Sequence, residues 1–356
     1  MFIRLNKRWA RTLLLSGIIL NCVALVLLVK FYSTSEGHAS ISNTSQTPYL
    51  TGEQGERRQK GNTSNTHGKI HPQFLCEREI REHQLRAYHK QTYQVLIAPE
   101  LLSTTQTLMV IYSRNNAESI DIRRAIRDTW ANKSQLNNLD IQVIFALSRP
   151  IKRQDSSNLK EEMKTFNDLL LIDHVDSYRN LTLKTLMVLS WFSRLSNRVS
   201  GLVKCDDDVL VNVTNIMAAI EAAKLEHADF ILGYQLEGIP TRQWDRKWYV
   251  PYSVYGKDLF PAFVSGTTYA LTKGAASRLV CEAPHQDYVY LEDVFFTGIC
   301  RAAAGVPIVH TGAIYPAGGA IFNVWKGCVS IHGFEPGMMR EAWNILTDKK
   351  PSHMLF

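Results

Sequence analysis

From about Gln106 onward, short apolar runs alternate with stretches of helical length. Leu108–Ser113, Ile141–Leu147, Leu169–Ile172, Leu202–Lys204 and Phe230–Gly233 are almost continuously aliphatic or aromatic, the pattern of strands covered on both faces. Ser119–Trp130 and Leu181–Leu195 are the clearest helices between them. This rhythm predicts an α/β fold with a largely parallel sheet. The second half is less regular: a Trp- and Tyr-rich loop over Gln243–Tyr255, a strand over Phe263–Leu271, a helix over Glu292–Ala304 and an irregular C-terminal segment. Ligands of such sheets bind at the carboxyl ends of strands, so acidic residues just after a strand are the place to look for chemistry.

The N-terminal third has a different pattern. Residues 1–11 are basic, and Thr12–Val29 is 18 residues without a charge, about 27 Å of helix at ~1.5 Å per residue, enough to span a bilayer. The positive-inside bias makes residues 1–11 a cytosolic tail and Thr12–Val29 a signal-anchor that sends the rest across the membrane; a cleaved signal peptide is the alternative, but no clean small-x-small site follows. Residues 30–75 are dominated by Ser, Thr, Gly, Asn and Gln and read as a flexible stem. Cys76–Lys90 is charged and of short-helix length, and residues 76–356 form the catalytic-sized domain.

Charge adds one exclusion. The net +7 suggests nucleic acid at first sight, but Arg4, Lys7, Arg8, Arg11 and Lys30 lie in the first 30 residues, which hold no Asp or Glu; the remainder is close to neutral. Five N-x-S/T triplets, at Asn43, Asn62, Asn132, Asn180 and Asn212, are candidate glycosylation sites on the far side of the membrane. Of six cysteines, Cys22 lies in the span, leaving Cys76, Cys205, Cys281, Cys300 and Cys328 in an oxidising compartment.

The chemistry concentrates at two acidic points. Asp206, Asp207 and Asp208 follow directly on the apolar run Gly201–Val203. Three adjacent carboxylates repel unless a cation or strong donors offset the repulsion. Alternation along an extended segment lets Asp206 and Asp208 converge on one Mg²⁺ or Mn²⁺ while Asp207 points elsewhere; a solvated acidic turn is the other reading. Glu292 and Asp293 open an apolar helical run, where they serve either as helix caps or as a proton acceptor. Arg123, Arg124 and Arg127 follow the first strand, and one or two of them could reach a diphosphate. His332, alone near the C-terminus, has nothing intrinsic to mark it as a ligand.

Taken together, these segments carry R-x-A-I-R-x-T-W at Arg123–Trp130, D-S-Y-x-N-L-T-L-K-T at Asp176–Thr185, K-x-D-x-D-V-x-V-N at Lys204–Asn212, K-W-Y-x-P at Lys247–Pro251, S-G-x-x-Y at Ser265–Tyr269, E-D-V at Glu292–Val294 and V-x-I-H at Val329–His332. In this order, over about Thr107–Asp348, the chain resembles the β1,3-galactosyltransferase and β1,3-N-acetylglucosaminyltransferase family, glycosyltransferase family 31, which are Golgi type II membrane enzymes.

The resemblance implies a GT-A fold with a Rossmann-like nucleotide-binding half. It implies an inverting, metal-dependent transfer of galactose from UDP-galactose to the 3-hydroxyl of an acceptor sugar on a glycoprotein, glycolipid or proteoglycan. A UDP-N-acetylglucosamine-dependent enzyme and a catalytically silent lectin-like protein are the alternatives, and a homodimer is left open. By the same resemblance Asp206, Asp208 and His332 match the ligands of Mn²⁺ or Mg²⁺, and Asp293 the general base. Ser113, Arg123, Arg127, Asp206 and Asp207 fall at the donor pocket. Lys247, Trp248, Tyr249, Gly266 and Glu292 fall at the acceptor or sugar pocket, where Trp244 is a further stacking candidate. Cysteines at Cys300 and Cys328 match family positions, and a bridge would tie the segment of the base to that of the third metal ligand. Cys205 and Val264 depart from the usual family residues.

Overall fold

The structure, a computed structural model, describes residues 94–136, 139–150, 153–318 and 325–347. The tail, the Thr12–Val29 span, the stem, the Cys76–Lys90 helix and the triplets at Asn43 and Asn62 lie outside these residues. Among the described residues, no helix is long and apolar enough to cross a membrane.

Eight strands form the main sheet: β1 (Val95–Ile97), β2 (Thr107–Tyr112), β3 (Ile141–Arg149), β4 (Leu169–Val175), β5 (Gly201–Asp206), β7 (Ile231–Leu236), β8 (Phe263–Thr272) and β9 (Ile308–His310), in the order β1-β4-β3-β2-β5-β8-β7-β9. β2 to β5 pair in parallel, as expected from their unbroken apolar runs. β8 runs antiparallel to both β5 and β7, and β1 runs antiparallel to β4, so the sheet is mixed. A second sheet joins β10 (Ile314–Tyr315), β11 (Ser330–His332) and β6 (Val209–Val211).

The helices divide between the two faces of the main sheet. Leu108, Val110 and Tyr112 of β2 share one core with α3 (Leu181–Arg194), α5 (Lys273–Glu282) and a π-helix over Val294–Cys300. Met109 and Ile111 point the other way. They share a core with α1 (Ala117–Asp128), α2 (Arg153–Thr165), α4 (Val213–Glu226) and α6 (Pro336–Leu346). This is the side-chain alternation of a strand buried on both faces. The C-terminal segment, expected to be irregular, contains α6, whose Met339 and Ala342 are buried against that second core.

The same two-sided arrangement overturns the expected bridge. Cys300, in the π-helix, belongs to the first core, whereas Cys328 belongs to the second, and both are free thiols. The sheet lies between them, so their Cβ atoms cannot approach to bonding distance. Two glycosylation candidates are also engaged locally. The Asn180 side-chain nitrogen donates to the Val175 carbonyl, and Thr182 of its triplet is buried. Asn212 caps α4 through its oxygen and donates its nitrogen to the Trp325 carbonyl. Asn132 instead uses its oxygen, accepting from the Ser134 N–H and hydroxyl.

Burial pushes the Cys328 and Cys205 thiols up to about 12 and the Cys300 thiol higher still, so none is a ready nucleophile in the folded chain. Alkylation mass spectrometry without reductant should label only exposed Cys281 of these four before unfolding, and Cys205, Cys300 and Cys328 as free thiols after it. A recovered Cys300–Cys328 disulfide peptide contradicts this packing.

Candidate active site

A cleft of about 680 Å³ opens at the carboxyl ends of the central strands. Tyr112 and Asp206 face each other across the β2–β5 pairing at its floor, and the Asp207–Asp208 turn leads from β5 into β6. Residues 114–118 form one wall, Asp176–Tyr178 with Leu181 and Lys184 another, and Lys247 and His332 the far rim.

His332 reaches the cleft through strand pairing. β11 runs antiparallel to β6, which sets His332 opposite Val209, while the N–H groups of Gly333 and Phe334 both donate to the Asp208 carbonyl. The His332 Nε2 then stands 3.1 Å from Asp208 Oδ2. That contact pushes the imidazole pKa up, and it outweighs burial to hold the Asp208 carboxyl below its usual range. Asp208 Oδ1 is buried and has no hydrogen-bond partner among the described residues.

Asp207 is accommodated differently. Burial, with Asp206 and Asp208 nearby, pushes its pKa up to about 6 against a hydrogen bond from Ser113. It lines the cleft beside Ser113. Among the described residues, no three His, Cys, Asp or Glu side chains stand close enough to form a cation cage by themselves. The donor set that does converge is hard oxygen plus imidazole with one unpartnered buried oxygen, a partial shell suited to a divalent cation that takes its other ligands from a bound substrate.

On the other side of the site, Asp293 sits at the start of the π-helix. Its carboxylate accepts from Val294 N–H at 2.9 Å and Gly266 N–H at 3.2 Å, so the capping reading of this residue is realised. Burial nonetheless raises its pKa, which makes it a stronger base than a solvated aspartate. Gly266 is needed here: a Cβ would stand 3.2 Å from both Asp293 Oδ2 and Glu292 Oε1.

Glu292 is not at an open sugar pocket. It is 5% exposed and is held by Lys204 at 3.1 Å, by the Thr185 hydroxyl at 3.1 Å and by the Tyr269 hydroxyl at 3.3 Å. Burial pushes its pKa up to about 7 against the pull of Lys204. Of the aromatic loop, Lys247 lines the cleft, with its ammonium near the Tyr178 and Trp248 rings, while Trp248 and Trp244 are exposed. Tyr249 lends its carbonyl to the Tyr290 hydroxyl.

Two buried lysines went unassigned in the sequence. Lys184 donates to the Ser113 carbonyl at 3.1 Å and to Asp176 at 3.3 Å, fixing the cleft wall. Lys204 contacts Asp206, Glu292 and the Gly266 carbonyl. The signal was present: each is a lone charge inside an apolar run, Leu181–Ser193 for the first and Gly201–Cys205 for the second. A charge at such a position is buried only when it is paired.

Arg123 and Arg127, expected at the donor pocket, do not line it; they lie behind its wall in buried ion pairs. Arg123 is 1% exposed and forms a two-pronged pair with Glu162, while also donating to the Ser113 hydroxyl and the Arg114 carbonyl. Arg127 pairs with Asp168 and Glu162 and lies over the Phe145 and Phe166 rings. Burial opposes the Glu162 charge, but the two guanidiniums outweigh it and hold its pKa below the usual carboxylate value. Arg114 and Arg149 are the arginines that line the cleft.

Arg123→Met leaves Glu162 buried without its two-pronged partner and should destabilise the fold by about 3–5 kcal/mol, read by denaturant unfolding. Because the folded-state pKa of Glu162 is depressed, the stability it contributes is present above its unfolded value, near 4.5, and is lost as pH falls through the depressed value. Unchanged stability in Arg123→Met would return this residue to the donor pocket.

With the site in view, comparisons place the chain among known proteins. The sequence model of the galactosyltransferase family matches residues 121–312, more than half of the chain. Beta-1,3-galactosyltransferase 1 of mouse, and equally of human, is 28% identical over 277 residues, covering 74% of this chain and 82% of the relative. Human beta-1,3-galactosyltransferase 2 is 28% identical over 269 residues, 72% of this chain and 62% of the relative. Among solved structures, apo mouse xyloside xylosyltransferase 1 aligns at 11% identity and a TM-score of 0.35, over 64% of this chain and 97% of that one. On the strength of the family match, this chain belongs to the galactosyltransferase family and is a glycosyltransferase.

Proposed function

We propose that this glycosyltransferase is a GT-A-type, inverting β1,3-hexosyltransferase that moves galactose from UDP-galactose to the 3-hydroxyl of an acceptor sugar on a glycoprotein, glycolipid or proteoglycan. In this reading the Thr12–Val29 segment anchors it in the Golgi membrane with the described domain in the lumen. The observation that carries it is the cleft lined by the Asp206–Asp208 turn and His332, with a basic carboxylate, Asp293, tied to Asp206 through Gly266 and Lys204. The names of the similar proteins favour galactose as the sugar.

Asp206, Asp208 and His332 would hold Mn²⁺ or Mg²⁺, and the unpartnered Asp208 Oδ1 fits a ligand oxygen. Such an ion, when bound, offsets charge on the leaving diphosphate and replaces proton donation to it. The chain's own groups supply the rest. Arg114, Arg149 and the Lys184 wall line the cleft where a nucleoside diphosphate would lie. Asp293 accepts the proton of the attacking hydroxyl. Glu292 beside it is enclosed and paired, so Asp293 is the carboxylate of the two left to do so. A single displacement then inverts the anomeric carbon. Lys247 lines the cleft, and the exposed Trp248 ring beside its ammonium offers a face on which a sugar can stack.

The assay is UDP release by the purified full-length chain with Mn²⁺, run against each UDP-sugar, with UDP-galactose expected to be turned over fastest; preference for UDP-N-acetylglucosamine would replace the galactose assignment. In that assay Asp208→Ala should abolish Mn²⁺-dependent turnover and weaken UDP binding without lowering the melting temperature. Wild-type UDP affinity with Mn²⁺ in this variant would remove Asp208 from the ligand set. Asp293→Asn keeps the side-chain shape and one of the two accepted backbone hydrogen bonds, but not the basic oxygen. It should lower kcat by ~10²- to 10⁴-fold with UDP affinity nearly unchanged. Wild-type kcat in Asp293→Asn would leave that residue a helix cap only.

A further inference from the structure

We propose that Lys204 is a positioning residue for the transfer reaction, fixing the Asp293 carboxylate through the Gly266 peptide; this rests on the reading of Asp293 as the base. Lys204 leaves β5 opposite Tyr269 of β8, and the residue is 2% exposed, with its ammonium close to the Tyr112 and Tyr269 rings. An ammonium has three donors. Here it donates to Asp206 Oδ1 at 2.6 Å and to the Gly266 carbonyl, and it forms an ion pair with Glu292 Oε1 at 3.1 Å. Held by all three groups and enclosed, Lys204 is not placed to touch a substrate. It acts through what it holds.

What it holds is the peptide chain against which Asp293 rests. The Gly266 carbonyl accepts from Lys204, and the Gly266 N–H donates to Asp293 Oδ2 at 3.2 Å. No side chain separates Gly266 from the carboxylate, since a Cβ there would stand 3.3 Å from Asp293 Cβ. One ammonium thus references the base to Asp206, so that the two halves of the site keep a common register. Displacing a reacting group by about 1 Å is enough to cost ~10²-fold in rate.

Lys204→Met removes the donors and keeps the length, but it strands Glu292 buried without its cation. Lys204→Met/Glu292→Gln restores neutrality, with Glu292→Gln alone as its reference, and thermal melting establishes that each variant is folded. The expected result in the folded double variant is a kcat at least ~30-fold below the Glu292→Gln reference, with UDP affinity in Mn²⁺ within about threefold of it. On the Glu292→Gln background, adding Lys204→Met to Asp293→Asn should cost less than about threefold more, because the group it positions has already gone. A tenfold loss of UDP affinity with kcat retained, a retained kcat in the folded double variant, or losses that multiply in the Lys204→Met/Glu292→Gln/Asp293→Asn variant each overturn the inference while leaving Asp293 as base. Wild-type kcat in Asp293→Asn alone overturns the base reading and this inference with it.

Discussion

Five carboxylates crowd one end of the sheet; the enclosed ammonium of Lys204 stands among them, and that of Lys184 is held by Asp176 in the cleft wall. Asp206, Asp207 and Asp208 come from the β5–β6 turn, Glu292 and Asp293 from the start of the π-helix, and Lys204 is joined to both groups. Like charges at this spacing repel by several kcal/mol wherever water is excluded. Burial works against the Lys204 charge, yet Asp206 and Glu292 more than offset it and keep it protonated. Lys204 cannot balance five carboxylates, with Lys184 already paired to Asp176, and the remainder is distributed by local chemistry. Asp208 leans on His332, Asp293 on two backbone N–H groups, while Glu292 and Asp207 have their pKa values raised by burial. The unbalanced negative charge that is left faces the cleft, where a cation and the basic cleft-lining residues are the natural complement.

The sheet makes this crowding tolerable. β5 lies in the middle of the main sheet with β2 on one side and antiparallel β8 on the other, so the Lys204 backbone is set in the ladder opposite Tyr269, while Gly266 lies just past the last β5–β8 pair, where its N–H and carbonyl are left for Asp293 and Lys204. The small sheet then returns the C-terminal segment to Asp208. Arg123, Arg127, Glu162 and Asp168 do the equivalent work behind the cleft: the Arg123 guanidinium holds the Ser113 hydroxyl and the Arg114 carbonyl, and so sets the wall without entering the pocket. A charge that builds a site is held as firmly as one that works in it. The two are separated by burial and partners rather than by residue type.

Much of this was legible in the chain. The runs Leu108–Ser113, Ile141–Leu147 and Leu169–Ile172 are strands because aliphatic residues without helical periodicity need cover on both faces, and they form the parallel core of the sheet. The three aspartates had to stand at a strand end, since the apolar run before them could only be a buried strand. Sequence also showed the likeness to a glycosyltransferase family, which the family match bears out. It misjudged Arg123 and Arg127, because an arginine near an active site reads the same whether it meets a phosphate or a buried glutamate. It also missed α6, whose short helical pattern begins within a Gly- and Pro-containing stretch, Gly333–Gly337, that reads as loop.

What the sequence determined alone is therefore local: which segments must be buried strands, where carboxylates gather, and which family the motifs belong to. Tertiary structure decided everything that depends on two distant segments meeting. It set Cys300 and Cys328 in different cores on opposite sides of the sheet, so that two cysteines matching family positions remain thiols. It brought His332 to Asp208 through pairing of β11 with β6, and Lys204 to Glu292 across β8. The physical reason is the same in each case. A side chain's partner and its exposure to water are properties of the packed arrangement, and they fix whether a charged or nucleophilic group is used to hold the fold or left free for chemistry.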